Sequence, residues 1–134
     1  MASFHQQTKQ ATAKMMQDMT TVIQNTVVRT VSRIVINSPV DTGLFKGSYR
    51  WTQGSQDRTI PTTLDKQGVQ TINAAVSGIK QWDMSQIGYL QNNQPYAIPL
   101  ENGHSKQNAY MVRSAAQAAP MIASEEARKV KGGN

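Results

Sequence analysis

The feature that most constrains this chain is a run without a single glycine or proline, from about Ser3 to Ile36. Apolar residues recur through it at Met15, Met19, Val22, Ile23, Val27 and Ile34, a three-and-four spacing that makes one helical stripe. The β-branched run from Val27 to Val31 lowers helix propensity, and a separate strand there is the competing reading. The stripe continues across it through Val27, Val31, Ile34 and Val35, so the spacing predicts one helix over about residues 3–36, stopped at Ser38-Pro39. Some 34 helical residues span roughly 50 Å. A globule of this chain length is only about 36 Å across. Either the helix breaks or bends, or it projects, and a projecting amphipathic helix must bury its stripe on another subunit.

With 134 residues there is room for one domain, 1–134. Its core is lean: 38% of residues are apolar and 6% aromatic, against a typical apolar share of about 45–50% counted with glycine. A neighbour that completes the buried surface is therefore expected. The chain has no cysteine, which removes disulfides and thiolate metal sites. The longest apolar run, Val31 to Ile36, is interrupted by Ser32 and Arg33, far short of a membrane span of about 20 residues. The first residues lack the basic-then-apolar layout of a signal peptide, so a soluble protein folding in the cytoplasm is expected. The formal charge is +6, with basic residues spread along the chain and densest at Arg128, Lys129 and Lys131. That group reads as a flexible, solvated tail over about 129–134, with DNA contact the competing reading.

Between the ends, Pro39 to Gly43 predicts a tight turn, and Gly47 to Thr52 a strand. Gln53 to Thr63 reads as an exposed loop, Leu64 to Lys80 as a helix weakened by Gly68 and Gly78, and Gln86 to Gln91 as a strand. Pro95 to Asn102 predicts a short helix or turn ended by Gly103. A last helix is expected from near Asn108 toward Lys131, kinked or split at Pro120 with a restart at Ser124-Glu125-Glu126. The expected fold is α+β: a long N-terminal helix and a C-terminal helix packed on a small antiparallel sheet.

Two clusters stand out. One runs from Ser38 to Arg50 and holds Pro39-Val40-Asp41-Thr42-Gly43; the other holds Asn92-Asn93-Gln94-Pro95-Tyr96-Ala97, then Glu101-Asn102-Gly103-His104-Ser105-Lys106-Gln107. Together, in this order and over about Thr20 to Val130, the chain resembles the family of small phage minor tail, neck or tail-completion proteins. Many members carry Pro or Gly where this chain has Asn108-Ala109-Tyr110, a departure expected to alter a loop and not the fold. The resemblance implies a virion structural protein with no catalysis. It implies a head-to-tail ring, of six copies, at the head–tail junction. Its partners would be itself, the head-closure or connector proteins, and the tail terminator or tube. Genomic DNA would pass through the ring, and no membrane would be involved. Such a protein is made in the host cytoplasm and ends in the virion. A tail terminator that caps the tube is the nearest alternative, and a small basic DNA-binding protein a more distant one.

The residues of the two clusters have ordinary structural uses. Pro39 fixes one backbone angle and Gly43 permits a positive one, while Asp41 is expected to accept backbone N–H groups. Asp-Thr-Gly also surrounds the nucleophile of aspartic proteases, but three residues in one copy are too little to act on. Tyr96 is expected to pack its ring. Glu101, His104 and Ser105 lie too close in one turn for a hydrolytic triad, so Glu101 is expected to pair with a base or cap the next helix. The two histidines, His5 and His104, lack spaced metal-ligating partners. Pro39, Asp41, Thr42, Gly43, Asn93, Pro95, Tyr96, Glu101, Gly103 and Ser105 are thus the expected structural and subunit-contact residues. Arg29, Arg33, Lys106 and Arg113 are the candidate DNA-facing residues. No catalytic, metal-binding or cofactor-binding residue is expected, and no cofactor.

Overall fold

The computed structural model describes residues 3–132. Helix α1 runs unbroken over Phe4–Ile36, about 50 Å at 1.5 Å per residue. Its start is fixed by a capping box: Ser3 Oγ accepts from the Gln6 N–H at 3.1 Å, and Gln6 Oε1 accepts from the Ser3 N–H at 3.0 Å. Helix wins over the β-branched run because tertiary packing outweighs propensity: Val31, Ile34 and Val35 enter the core. The hydroxyls of Thr26, Thr30 and Ser32 donate to the carbonyls four residues back at 2.7–2.8 Å.

Two side chains close the far end of α1. Lys46 is buried, and its Nζ donates to the Ile36 carbonyl at 3.0 Å, placing a cation on the negative end of the helix dipole. Ser38 Oγ donates its one proton to the Ile34 carbonyl at 2.8 Å, so in its 2.8 Å contact with Tyr49 the phenol is the donor. Burial pushes the Tyr49 hydroxyl up to about 12.

After the turn comes α2 at Leu44–Gly47, then β1 at Tyr49–Gln53. The strand expected from Gly47 therefore starts two residues later. The Gly47 N–H donates to the Gly43 carbonyl at 2.9 Å, and Ser48 Oγ to the Leu44 carbonyl at 2.6 Å, which close a helical turn first. Helix α3 spans Val69–Lys80, not Leu64–Lys80, because Gly68 sits at φ +80° and Asp65 caps from outside. Strand β2, Gly88–Asn92, pairs antiparallel with β1 in the register Tyr49↔Asn92, Trp51↔Leu90, Gln53↔Gly88. Then follow α4, Ala97–Glu101, and α5, Met111–Lys131.

The architecture is α+β, with a long N-terminal helix, a C-terminal helix and a two-stranded antiparallel sheet; the two helices were expected to pack on the sheet, but they pack on each other, and α3 backs the sheet. Helix α5 packs most extensively on α1, and α3 lies between α1 and β1. The core comprises Val31, Ile34 and Val35 of α1, Phe45, Tyr49, Ala75, Ile79, Met111 and Ala115. Among the described residues, no helix is long and apolar enough to cross a membrane.

Helix α5 corrects three expectations. It starts at Met111 and not Asn108, because Tyr110 takes a left-handed conformation at φ +58°. It is one helix across Pro120, neither split nor restarted at Ser124. Pro120 and Ala116 both face solvent, so the carbonyl that the proline deprives of a donor is left to water. The helix also keeps Lys129, Val130 and Lys131, which were expected in a flexible tail over 129–134; the last two residues of that span lie outside the described residues.

Candidate functional site

The two sequence clusters meet in space. Gln107 clamps the first onto the second: its Oε1 accepts from the Val40 N–H at 2.7 Å and its Nε2 donates to the Val40 carbonyl at 2.6 Å. One amide thus satisfies both backbone groups of Val40, as a neighbouring strand would. Between the clusters lies a cleft of about 410 Å³, lined by Pro39, Asp41 and Thr42 on one wall and Tyr96, His104 and Ser105 on the other. Phe45 forms its base, 5.8 Å from the Tyr96 ring and 5.5 Å from that of Tyr49.

The turn is held differently from the sequence expectation. Asp41 is exposed and, among the described residues, accepts no hydrogen bond; Thr42 Oγ1 accepts instead, from the Leu44 N–H at 3.3 Å. Gly43 is required twice over. Its φ is +91°, and a Cβ there would lie 2.6 Å from the Lys66 nitrogen and 2.8 Å from that of Asp65. Its carbonyl accepts from the Asp65 N–H at 3.0 Å. Asp65, missed in the sequence, then accepts from the Gly68 N–H, the Thr71 N–H and the Thr71 hydroxyl at 2.8–3.0 Å. Burial opposes the Asp65 charge, but these bonds prevail and hold its carboxyl below the ordinary range.

In the second cluster, Asn93 Nδ2 donates to the carbonyls of Asp57 and Thr59, tying down the long loop, while Pro95 is exposed ahead of α4. Gln94 is buried and donates to Ser48 Oγ at 2.8 Å. Glu101 caps α5: its two carboxylate oxygens accept from the N–H groups of Val112 and Arg113, both at 3.0 Å. Gly103, at φ +97°, turns the chain out of α4, and Ser105 Oγ accepts from the Gln107 N–H at 3.0 Å. With both Glu101 oxygens spent on the helix end, Glu101, His104 and Ser105 form no hydrogen-bonded relay. Gln94 and Gln107 escaped the sequence reading because each acts on a segment far away in the chain. Only the place of Asp65 just ahead of an apolar helical run signalled its capping role.

The candidate DNA-facing residues separate. Arg29 is corrected: its guanidinium is taken by Glu125 at 2.7 Å and Glu126 at 2.8 Å, fastening α1 to α5. Glu126 is buried and also receives Lys129 at 2.8 Å. The Lys129 hydrogen bond first, and that of Arg29 after it, hold the Glu126 carboxyl below its ordinary value against the cost of desolvation. Arg33, Lys106 and Arg113 are exposed. Arg33 reaches Ser114 Oγ at 3.4 Å, and Arg113 stacks 4.7 Å over the Tyr110 ring.

The N-terminal half of α1 leaves apolar side chains uncovered. Residues 3–17 are all exposed, with Phe4 at 84%, Met15 at 58% and Met16 at 64%. A single stripe was expected along the helix, and the structure corrects it. Met15, Met19, Ile23, Val27, Val31 and Val35 are spaced strictly by four. Each step of four advances about 40° beyond a full turn, so the ridge winds roughly 200° around the helix from Met15 to Val35. Val31 and Val35 enter the core; Met15 and Met19 face nearly the opposite way. Helix α5 runs antiparallel to α1, from Ser114 beside Arg33 to Val130 beside Met19 and Val22, and ends there. Beyond its end a groove of about 590 Å³ stays open between Met15, Met19, Val22, Ile23, Ala127 and Val130. No family model, no curated protein and no solved structure matches the chain.

Proposed function

We propose that the protein is a structural subunit of a tailed-phage virion: a ring-forming neck or tail-completion protein that joins the head-closure layer to the tail. The observation that carries the reading is the bare N-terminal half of α1, which leaves Phe4, Met15, Met16 and Met19 exposed at 58–84%. The phage assignment is supported by the two sequence clusters described above, which the Gln107–Val40 clamp holds as one unit.

The mechanism is assembly. Each copy meets the next through unlike surfaces, and repetition of that contact by rotation closes a ring, of six copies by the resemblance. One face of the ring meets the head-closure proteins and the other the tail terminator or tube, with the genome passing through the axial hole. Exposed Arg33, Lys106 and Arg113 are the residues available to phosphates.

The test has two arms. The purified protein should run at a multiple of 14.8 kDa by light scattering, and particles made without it should carry tubes of normal length that fail to join heads. A monomer at every concentration, together with virions that lack the protein, overturns the reading. Overlong tubes would assign it to tail termination instead.

A further inference from the structure

We infer that the tip of α1, anchored by Phe4, seats in a groove on the neighbouring copy, between β2, α4 and the start of α5. This rests on the ring reading and names the surface that accepts the helix. The groove has a volume of about 450 Å³ and a largely apolar lining that includes Phe45, Leu90, Ile98, Met111 and Val112. Its rim exposes Ile98 at 74% and Val112 at 49%, while Phe45 and Met111 belong to the buried core. That is the form of a receptor for one large side chain: a dry floor with apolar edges left in water.

Three observations point to a second copy as the occupant. Phe4 is the most exposed large apolar residue described, and the Ser3–Gln6 capping box sets it at the first position of a formed helix. The second observation is area: Phe4, Met15, Met16, Met19 and Ile23 together expose roughly 600 Å² of apolar surface, close to the ~800 Å² per partner of a standard interface. Third, the two surfaces sit apart on the same helix, since Ile34 lines the groove and Met15 marks the bare ridge. Those residues are about 28 Å apart along the axis. A two-fold pairing of ridge with ridge leaves the groove empty in both copies. Seating the tip of one copy in the groove of the next uses unlike surfaces on the two copies, which is a head-to-tail contact.

The native chain has no cysteine, so cross-linking maps the contact directly. Phe4→Cys combined with Ile98→Cys should give a ladder of disulfide-linked multimers on mild oxidation, and neither single variant should. Phe4→Ala should weaken self-association by roughly 10–30-fold, as loss of a central aromatic anchor does, with an unchanged circular dichroism spectrum because Phe4 supports nothing in its own chain. Ile98→Glu should abolish the oligomer while the monomer stays folded. Dimers from Phe4→Cys alone, or an oligomer whose strength ignores Phe4→Ala and Ile98→Glu, overturn the inference. The two proposals fail separately. A ladder from a protein absent from virions keeps this contact and removes the neck role; a virion ring without the ladder does the reverse.

Discussion

Gly43→Ala and Gly103→Ala form a pair that isolates what the motif turn is for. Both glycines have positive φ, +91° and +97°, and an alanine at either pays about 1–2 kcal/mol for that conformation. At Gly103 little else changes, because the nearest atom to a new Cβ is the Ala109 methyl at 3.9 Å. At Gly43 the new methyl meets backbone at 2.6–2.9 Å, atoms that cannot swing aside. Forced separation of the turn from residues 65–66 costs about 1–3 kcal/mol by analogy with overpacking. It also strains the hydrogen bond from the Asp65 N–H to the Gly43 carbonyl, a further ~1 kcal/mol. Gly43→Ala should therefore cost about 3–6 kcal/mol and Gly103→Ala about 1–2 kcal/mol. For a domain of this size that is roughly 10–20 °C against about 5 °C in melting temperature. Urea titration and calorimetry read both. Equal losses would show that φ alone matters at Gly43, and that its close approach to residues 65–66 has no energetic weight.

Three further outcomes are expected. Gln107→Ala removes both bonds to Val40 and should cost about 1–2 kcal/mol, read by urea unfolding, with faster amide exchange at Val40. Glu101→Ala frees two helix-end N–H groups and should cost about 1 kcal/mol, with exchange protection lost at Val112 and Arg113 and kept at Ile79. Glu126 has a folded-state pKa below its ordinary 4.5, so its contribution is present above that value and is lost as the pH falls through the folded pKa. Melting temperature should drop more steeply below about pH 4.5 in the native protein than in Glu126→Gln, and parallel curves would contradict the ion-pair account.

How far the sequence is readable depends on how local each determinant is. The extent of α1 was legible because nothing in the run before Ser38-Pro39 breaks a helix. The strands were found to within two residues, since alternation and aromatics mark them locally. Gly47 misled because a glycine beside an aromatic pair suits a strand start, and only the Gly43–Gly47 bond reveals the helical turn. Pro120 misled because a proline's cost depends on whether the orphaned carbonyl faces water. For Glu101 the sequence left pairing with a base and capping the next helix both open, and the structure shows the cap, on N–H groups 11 and 12 residues away. Asp41 was misassigned, since either Asp or Thr in that turn can take the N–H. Arg29 was illegible: its partners lie 96 and 97 residues away. The apolar spacing in α1 was seen, but its strict step of four was taken for a straight stripe.

That step gives α1 the character of a shaft, whose length and angular phase are set together. Inserting one residue between Ile23 and Val27 would lengthen it by only about 1.5 Å yet swing the tip through roughly 100°. Inserting seven would extend it by about 10 Å and return the tip to within about 20° of its original heading. Length variation in this segment should therefore be tolerated in near-heptad increments, with single-residue changes far more disruptive than their size suggests.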